Sequence, residues 1–153
     1  MSWYRDKTAV VFLVGRYLPI FASLNVAWEI AQLPLYTLWR EATAAYIAFA
    51  VAHCTAGDIL IGTAAFVLAL TATRARSLAE WRWASVAALT TVLGLAYTAA
   101  SEWMNTTLRE AWQYSEAMPT IGIAGVRIGL SPLAQWLAIP PLALYLAKRS
   151  AAS

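Results

Sequence analysis

Charge is scarce in this sequence. Asp, Glu, Lys and Arg make up 12% of its 153 residues, against about a quarter in an average soluble domain. Lysine occurs twice, as Lys7 and Lys148, and histidine once, as His53. A disordered chain, a coiled coil and a basic nucleic-acid surface are each built from charge, so all three are excluded. Cysteine occurs once, as Cys54. No intrachain disulfide is possible, and Cys54 reads as a small buried hydrophobe. HExxH, ExxH and CxxC spacings are absent. So are the strand alternation of a β-barrel, internal repeats and low-complexity tracts.

Apolar residues take the place of charge. They make up 61% of the chain, and the mean hydropathy is +0.58. A short chain buries the smallest fraction of its surface on folding, so this much apolar surface does not fit inside a water-soluble core. The expected fold is all-α: a polytopic integral membrane protein built as a four-transmembrane-helix bundle. One domain covers 1–153, with spans at about 8–33, 44–70, 83–105 and 130–147, since a bilayer core takes about 20 residues of helix. The first span is not read as a cleaved signal peptide. It is too long, holds Arg16, and lacks a small-x-small site.

The few cations sort by side. Arg5, Lys7, Arg74, Arg76, Arg82, Lys148 and Arg149 fall on one side; Arg40, Arg109 and Arg127 fall on the other, beside Glu41, Glu110 and Glu116. By the positive-inside rule both termini are cytoplasmic, with a bacterial inner membrane as the expected setting. Trp3, Trp81 and Trp83 are expected in the inner aromatic belt, and Trp103, Trp112 and Trp136 at or near the outer one. The first span has two possible registers, Lys7–Trp28 with Arg16 snorkelling inward, or Arg16–Trp39; the apolar run 8–15 favours the first. Span four reads as opening with Ser131 as N-cap and Pro132 at the first helical position. Pro140-Pro141 then falls mid-span, where proline frees carbonyls and bends the axis. Residues 107–129 are expected to form an outer cap, with a short amphipathic helix over 107–116 and then a glycine-containing turn.

Ionisable groups inside spans are costly and mark function by default. Asn25, Glu29 and Gln32 share one helix face, as do Thr98, Glu102, Asn105 and Arg109. Span two carries His53 and Asp58, and span four carries Ser131 and Gln135. Asp58 lies 16 residues from Arg74, about 24 Å along a helix. Glu102 lies 20 residues from Arg82, about 30 Å. Glu29 lies about 33 Å from Lys7, or about 20 Å from Arg16, and His53 about 31 Å from Arg74. The polar residues of all four spans therefore meet in the outer third. The plainer reading of such groups is solvated helix ends, and of His53 a packing residue. Asp58 fits it least, because Gly57 and Gly62 beside it admit a close helix neighbour. Ala44, Ala48, Ala52 and Ala56 form a small-residue row suited to helix contact or a homo-oligomer.

Carboxyls in a half-dry pocket suit general acid–base catalysis, one staying protonated while its neighbour stays ionised. The expected function is an intramembrane enzyme performing isomerisation, cyclisation or hydrolysis on a lipophilic isoprenoid- or polyketide-like molecule. Asp58 is the expected acid, Glu29 or Glu102 the base or orienter, and His53 an assisting group. Asn25, Gln32, Asn105, Arg109, Trp112, Tyr114, Gln135 and Trp103 are the expected substrate-binding residues. No cofactor is required. A divalent metal on Glu29, His53, Asp58 and Glu102 is the alternative donor set, with proton-coupled transport and a non-catalytic accessory subunit as the remaining readings. The expected partners are membrane lipids and the lipophilic ligand, with no nucleic acid.

Overall fold

A computed structural model describes residues 2–123 and 125–152. Four helices in it are long and apolar enough to cross a membrane: α1 (Lys7–Leu35), α2 (Ala44–Ala72), α3 (Trp83–Leu108) and α4 (Leu130–Ala152). All four predicted spans are present, each longer than expected. Each helix packs on its neighbour in sequence and α1 closes on α4, giving an antiparallel ring. Both chain ends and the 73–82 connection lie at one end, here the terminal end. Arg16 reaches that end as well, its guanidinium donating to the Ser150 carbonyl of α4.

The helix starts and stops follow local chemistry. Asp6 caps α1 by accepting the Thr8 N–H at 3.0 Å, and Thr43 caps α2 by accepting the Tyr46 N–H at 3.3 Å. Pro34 stands where α1 tightens into its last 3₁₀ turn, Leu33–Leu35. Two π-helical turns, Leu13–Tyr17 in α1 and Met104–Leu108 in α3, shift the helix phase. Pro140 and Pro141 sit within α4, and the helix continues through them.

The terminal half is a packed aromatic core. Tyr17 stacks on Phe66 at 4.3 Å and on Phe21 at 5.6 Å, and Phe12 meets Trp81 and Trp83 edge-on. Trp81 and Trp136 were expected in interfacial belts. They are 3% and 2% exposed and belong to this core. Close approach explains Trp136: Gly94 of α3 leaves the space its ring occupies, and Gly62 does the same for Phe21. Gly57 does not serve this way, since nothing lies within 4 Å of the position its Cβ would take. The Ala44, Ala48, Ala52 and Ala56 row stands exposed, so it is not a packing face within the chain.

The segment after α3 departs from expectation. α3 ends at Leu108, and no helix covers 109–116. Glu110 turns to φ 50°, and the Ala111 N–H closes on the Asn105 carbonyl at 2.8 Å, ending α3. Residues 113–115 then run against the end of α1. Thr37 N–H donates to Gln113 O, Ser115 N–H donates to Leu35 O, and Tyr36 pairs with Tyr114. This tertiary pairing supplies the backbone bonds a helix would have made. A hairpin follows, β1 (Thr120–Ile123) on β2 (Val126–Gly129), with Gly125 at φ 81° in its turn. Ala124, inside the expected cap, lies outside the described residues. Ser131 is not an N-cap. It lies within α4, and its hydroxyl is spent on α1.

Two predictions follow from these contacts. Gly94→Ala places a methyl group in the Trp136 ring and is expected to cost about 1–3 kcal/mol, read as a lower melting midpoint in detergent. Asp6 also accepts the Leu78 N–H at 2.8 Å, and this bond above all holds its carboxyl below the ordinary value of 3.8. A depressed folded value stabilises above the unfolded one and is lost as pH falls through the folded value. Amide exchange at Leu78 should therefore quicken, beyond its intrinsic pH dependence, once pH drops below 3.8. Asp6→Ala should show the faster exchange already at neutral pH.

Candidate functional site

The buried seams of the helices are apolar at the terminal end and polar at the far end. In α3 the seam runs Val86, Thr90, Gly94, Thr98, Glu102, a step of four each time. In α1 it runs Phe21, Asn25, Glu29, Gln32. The ring of helices brings these polar ends together around a cavity of about 750 Å³.

Gln135 of α4 organises the floor. Its Nε2 lies 2.8 Å from Asn25 Oδ1, 2.9 Å from Asp58 Oδ2 and 3.2 Å from Glu29 Oε1. Three helices thus meet at one amide. A chain of bonds extends from it along α1. Gln32 Nε2 donates to Glu29 Oε1 at 2.9 Å, Ser131 Oγ donates to Gln32 Oε1 at 2.9 Å, and Trp28 Nε1 donates to Ser131 Oγ at 3.3 Å. The amides of Gln32 and Gln135 thus both donate to Glu29.

Glu102 stands on the α3 wall and is held from outside the cavity. The Tyr114 hydroxyl donates to its Oε2 and accepts the Gly129 N–H at 2.9 Å, so one phenol ties the acid to the end of the hairpin. Any side chain at Gly129 would crowd that ring. Burial first, then the bond to Glu102, raises the Tyr114 phenol above its ordinary 10. Burial, then the charge on Glu102, does the same for Tyr36. Both phenols therefore remain protonated donors at neutral pH.

The four residues expected to carry catalysis, Asp58, Glu29, Glu102 and His53, all line the cavity. Gln32, Asn105, Arg109, Trp112 and Gln135 line it too. Three expected substrate-binding residues do not. Asn25 is buried beneath the floor, donating to the Phe21 carbonyl at 2.8 Å. Trp103 is 43% exposed on the outside of α3. Tyr114 supports Glu102 from behind. His53 is at the rim, exposed and stacked on Phe49 with ring centres 5.7 Å apart. Among the described residues no three His, Cys, Asp or Glu side chains gather as a metal site, so the proposed donor set of Glu29, His53, Asp58 and Glu102 does not assemble.

Several lining residues escaped the sequence reading. Tyr46 and Phe49 precede His53 at helical spacing, and Tyr97 faces them from α3. They line the cavity yet are 55%, 61% and 53% exposed. The cavity therefore opens on the flank of the bundle, between α2 and α3. The 46, 49, 53 spacing was a readable stripe. Tyr36 and Gln113 carried no such signal, because a long-range pairing puts them there. Compared with protein-family models, curated proteins and solved structures, the chain finds no match.

Gln135→Leu removes the donor shared by Asn25, Glu29 and Asp58. Buried acceptors left without a partner cost about 1–3 kcal/mol, so the melting midpoint should fall. Gln135→Glu, which keeps the shape and loses the donors, should fall comparably.

Proposed function

We propose that the chain is a small integral membrane enzyme using carboxylate general acid–base chemistry on a lipophilic substrate with an isoprenoid- or polyketide-like body. In this reading the far end of the bundle is the outer side, the termini are cytoplasmic, and the cavity lies in the outer third of a bacterial inner membrane. The observation that carries the proposal is the convergence of Glu29 and Asp58 on one Gln135 amide inside a cavity that Glu102 faces from the opposite helix.

The chemistry follows from the spacing of the acids. Gln135 Nε2 reaches both Asp58 and Glu29, and Gln32 also donates to Glu29, so two carboxyls meet at one amide. A proton held by the pair relieves the repulsion of two like charges in an apolar setting. Such a pair holds a proton where a substrate can receive it. Asp58, at the cavity floor, is the proton donor. Glu29, fixed by Gln32 and Gln135, is its partner. Glu102, aligned by Tyr114, takes a proton on the opposite face, from the substrate in an isomerisation or cyclisation and from the attacking water in a hydrolysis. Trp112 and the rim aromatics enclose the apolar body, which enters through the flank.

The packed terminal half speaks against transport. Tyr17, Phe21, Phe66 and Trp81 pack together there as an apolar plug between the polar cavity and the terminal end. An accessory subunit has no need of a cavity this size.

Asp58→Asn tests the proposal. Lipid extracts of cells producing the native chain and the variant are compared by untargeted mass spectrometry. A lipid-soluble species altered by the native chain and unaltered by a folded Asp58→Asn variant is the expected result. Identical extracts overturn the assignment of Asp58.

A further inference from the structure

We infer that the cavity takes an amphiphile with a protonated amine at its head, oriented head inward and chain outward through the flank. The inference rests on the reading of this cavity as a ligand site and names the ligand's chemistry.

The charge on the walls is one-sided. Glu29, Glu41, Asp58, Glu102 and Glu110 line the cavity, and Arg109 is the lone Lys or Arg among its lining residues. The acids lie at successive depths. Glu41 and Glu110 stand exposed at the far-end rim, Glu102 is buried one level in, and Asp58 and Glu29 sit at the floor. A lane of this sign in low dielectric attracts a cation and repels a carboxylate or phosphate head. Arg109 lies at the rim, past the end of α3, and leaves the floor without a cation.

Donor supply points the same way. The floor carboxyls of Glu29 and Asp58 face the cavity and are served by the neutral amides of Gln32 and Gln135. An ammonium head brings three N–H donors and a charge; an alcohol brings one donor and none. Aromatic faces complete the site. Trp112 and Trp136 line the cavity, and Tyr46, Phe49 and Tyr97 line the passage to the flank. Rings of this kind stabilise an ammonium at close range and give apolar contact to a chain. The exposed passage between α2 and α3 accepts a chain that a closed pocket would have to bend.

The experiment titrates the full chain, held in phosphatidylcholine nanodiscs, with tritiated dodecylamine, dodecanol and dodecanoate. Empty nanodiscs supply the partition background. Dodecylamine is expected to bind saturably and at least about tenfold more tightly than the other two, a difference of about 1.4 kcal/mol. Glu102→Gln is expected to remove most of that preference. Glu41→Gln, at the exposed rim, keeps the fold and is expected to weaken dodecylamine about twofold to threefold, the scale of an exposed charge pair. Dodecanol binding as tightly as dodecylamine overturns the amine head and leaves the cavity reading intact. So does amine binding that neither variant weakens. Failure of all three probes to bind above background overturns the cavity reading itself.

Discussion

One side-chain amide holds the far end of this bundle together. Gln135 is 2% exposed, and its nitrogen reaches α1 twice and α2 once. In apolar surroundings a polar group without a partner is expensive, and water is not there to replace one. The three helices are therefore bound to one axial register. Sliding α4 by a single turn would move Gln135 about 5.4 Å and break its bonds to Asn25, Glu29 and Asp58. The same turn would pull the Trp136 ring from the space opposite Gly94. A polar lock and an apolar one, on adjacent residues of α4, set the same alignment.

That alignment divides the molecule by task. The terminal half is filled with aromatic rings and apolar side chains. The far half keeps the polar seams around the cavity, whose lining residues Tyr46, Phe49 and Tyr97 of α2 and α3 stand exposed on the flank. The segment from Arg109 to Gly129 is fastened at three places: backbone bonds to the end of α1, the Tyr114 bond to Glu102, and the Gly129 bond to Tyr114. Tyr114 thus joins loop, hairpin and acid through a single oxygen. Rigidity at the terminal end lets the far end remain open without losing its geometry.

Much of this was legible in the chain. Apolar run lengths placed all four helices, and the i, i+4 rows of Asn25–Glu29 and Thr98–Glu102 identified the seams that meet at the cavity. Depth counted from the basic loops brought Glu29, His53, Asp58 and Glu102 to one level, and all four line one cavity. The failures share a cause. Trp136 is buried because Gly94, far away in sequence, makes room for it. Residues 109–119 are not helical because the end of α1 offers them backbone partners. Trp103 was expected in the outer aromatic belt and also among the substrate-binding residues, but the phase of α3 turns it away from the cavity. Helical periodicity is a local property and reports which side chains share a face. It does not report which loop finds a partner in another part of the chain.

The opening between α2 and α3 bears on how affinity is to be expressed. A site reached from an aqueous face responds to molar concentration. A site reached through its flank, from the surrounding apolar phase, responds to mole fraction in that phase. Reducing the amount of lipid at a fixed amount of ligand would then raise occupancy, while adding water would leave it unchanged. Chain length would act twice, once by enriching the ligand in the lipid and once by its fit along Tyr46, Phe49 and Tyr97. The two effects separate only when lipid and ligand are varied independently.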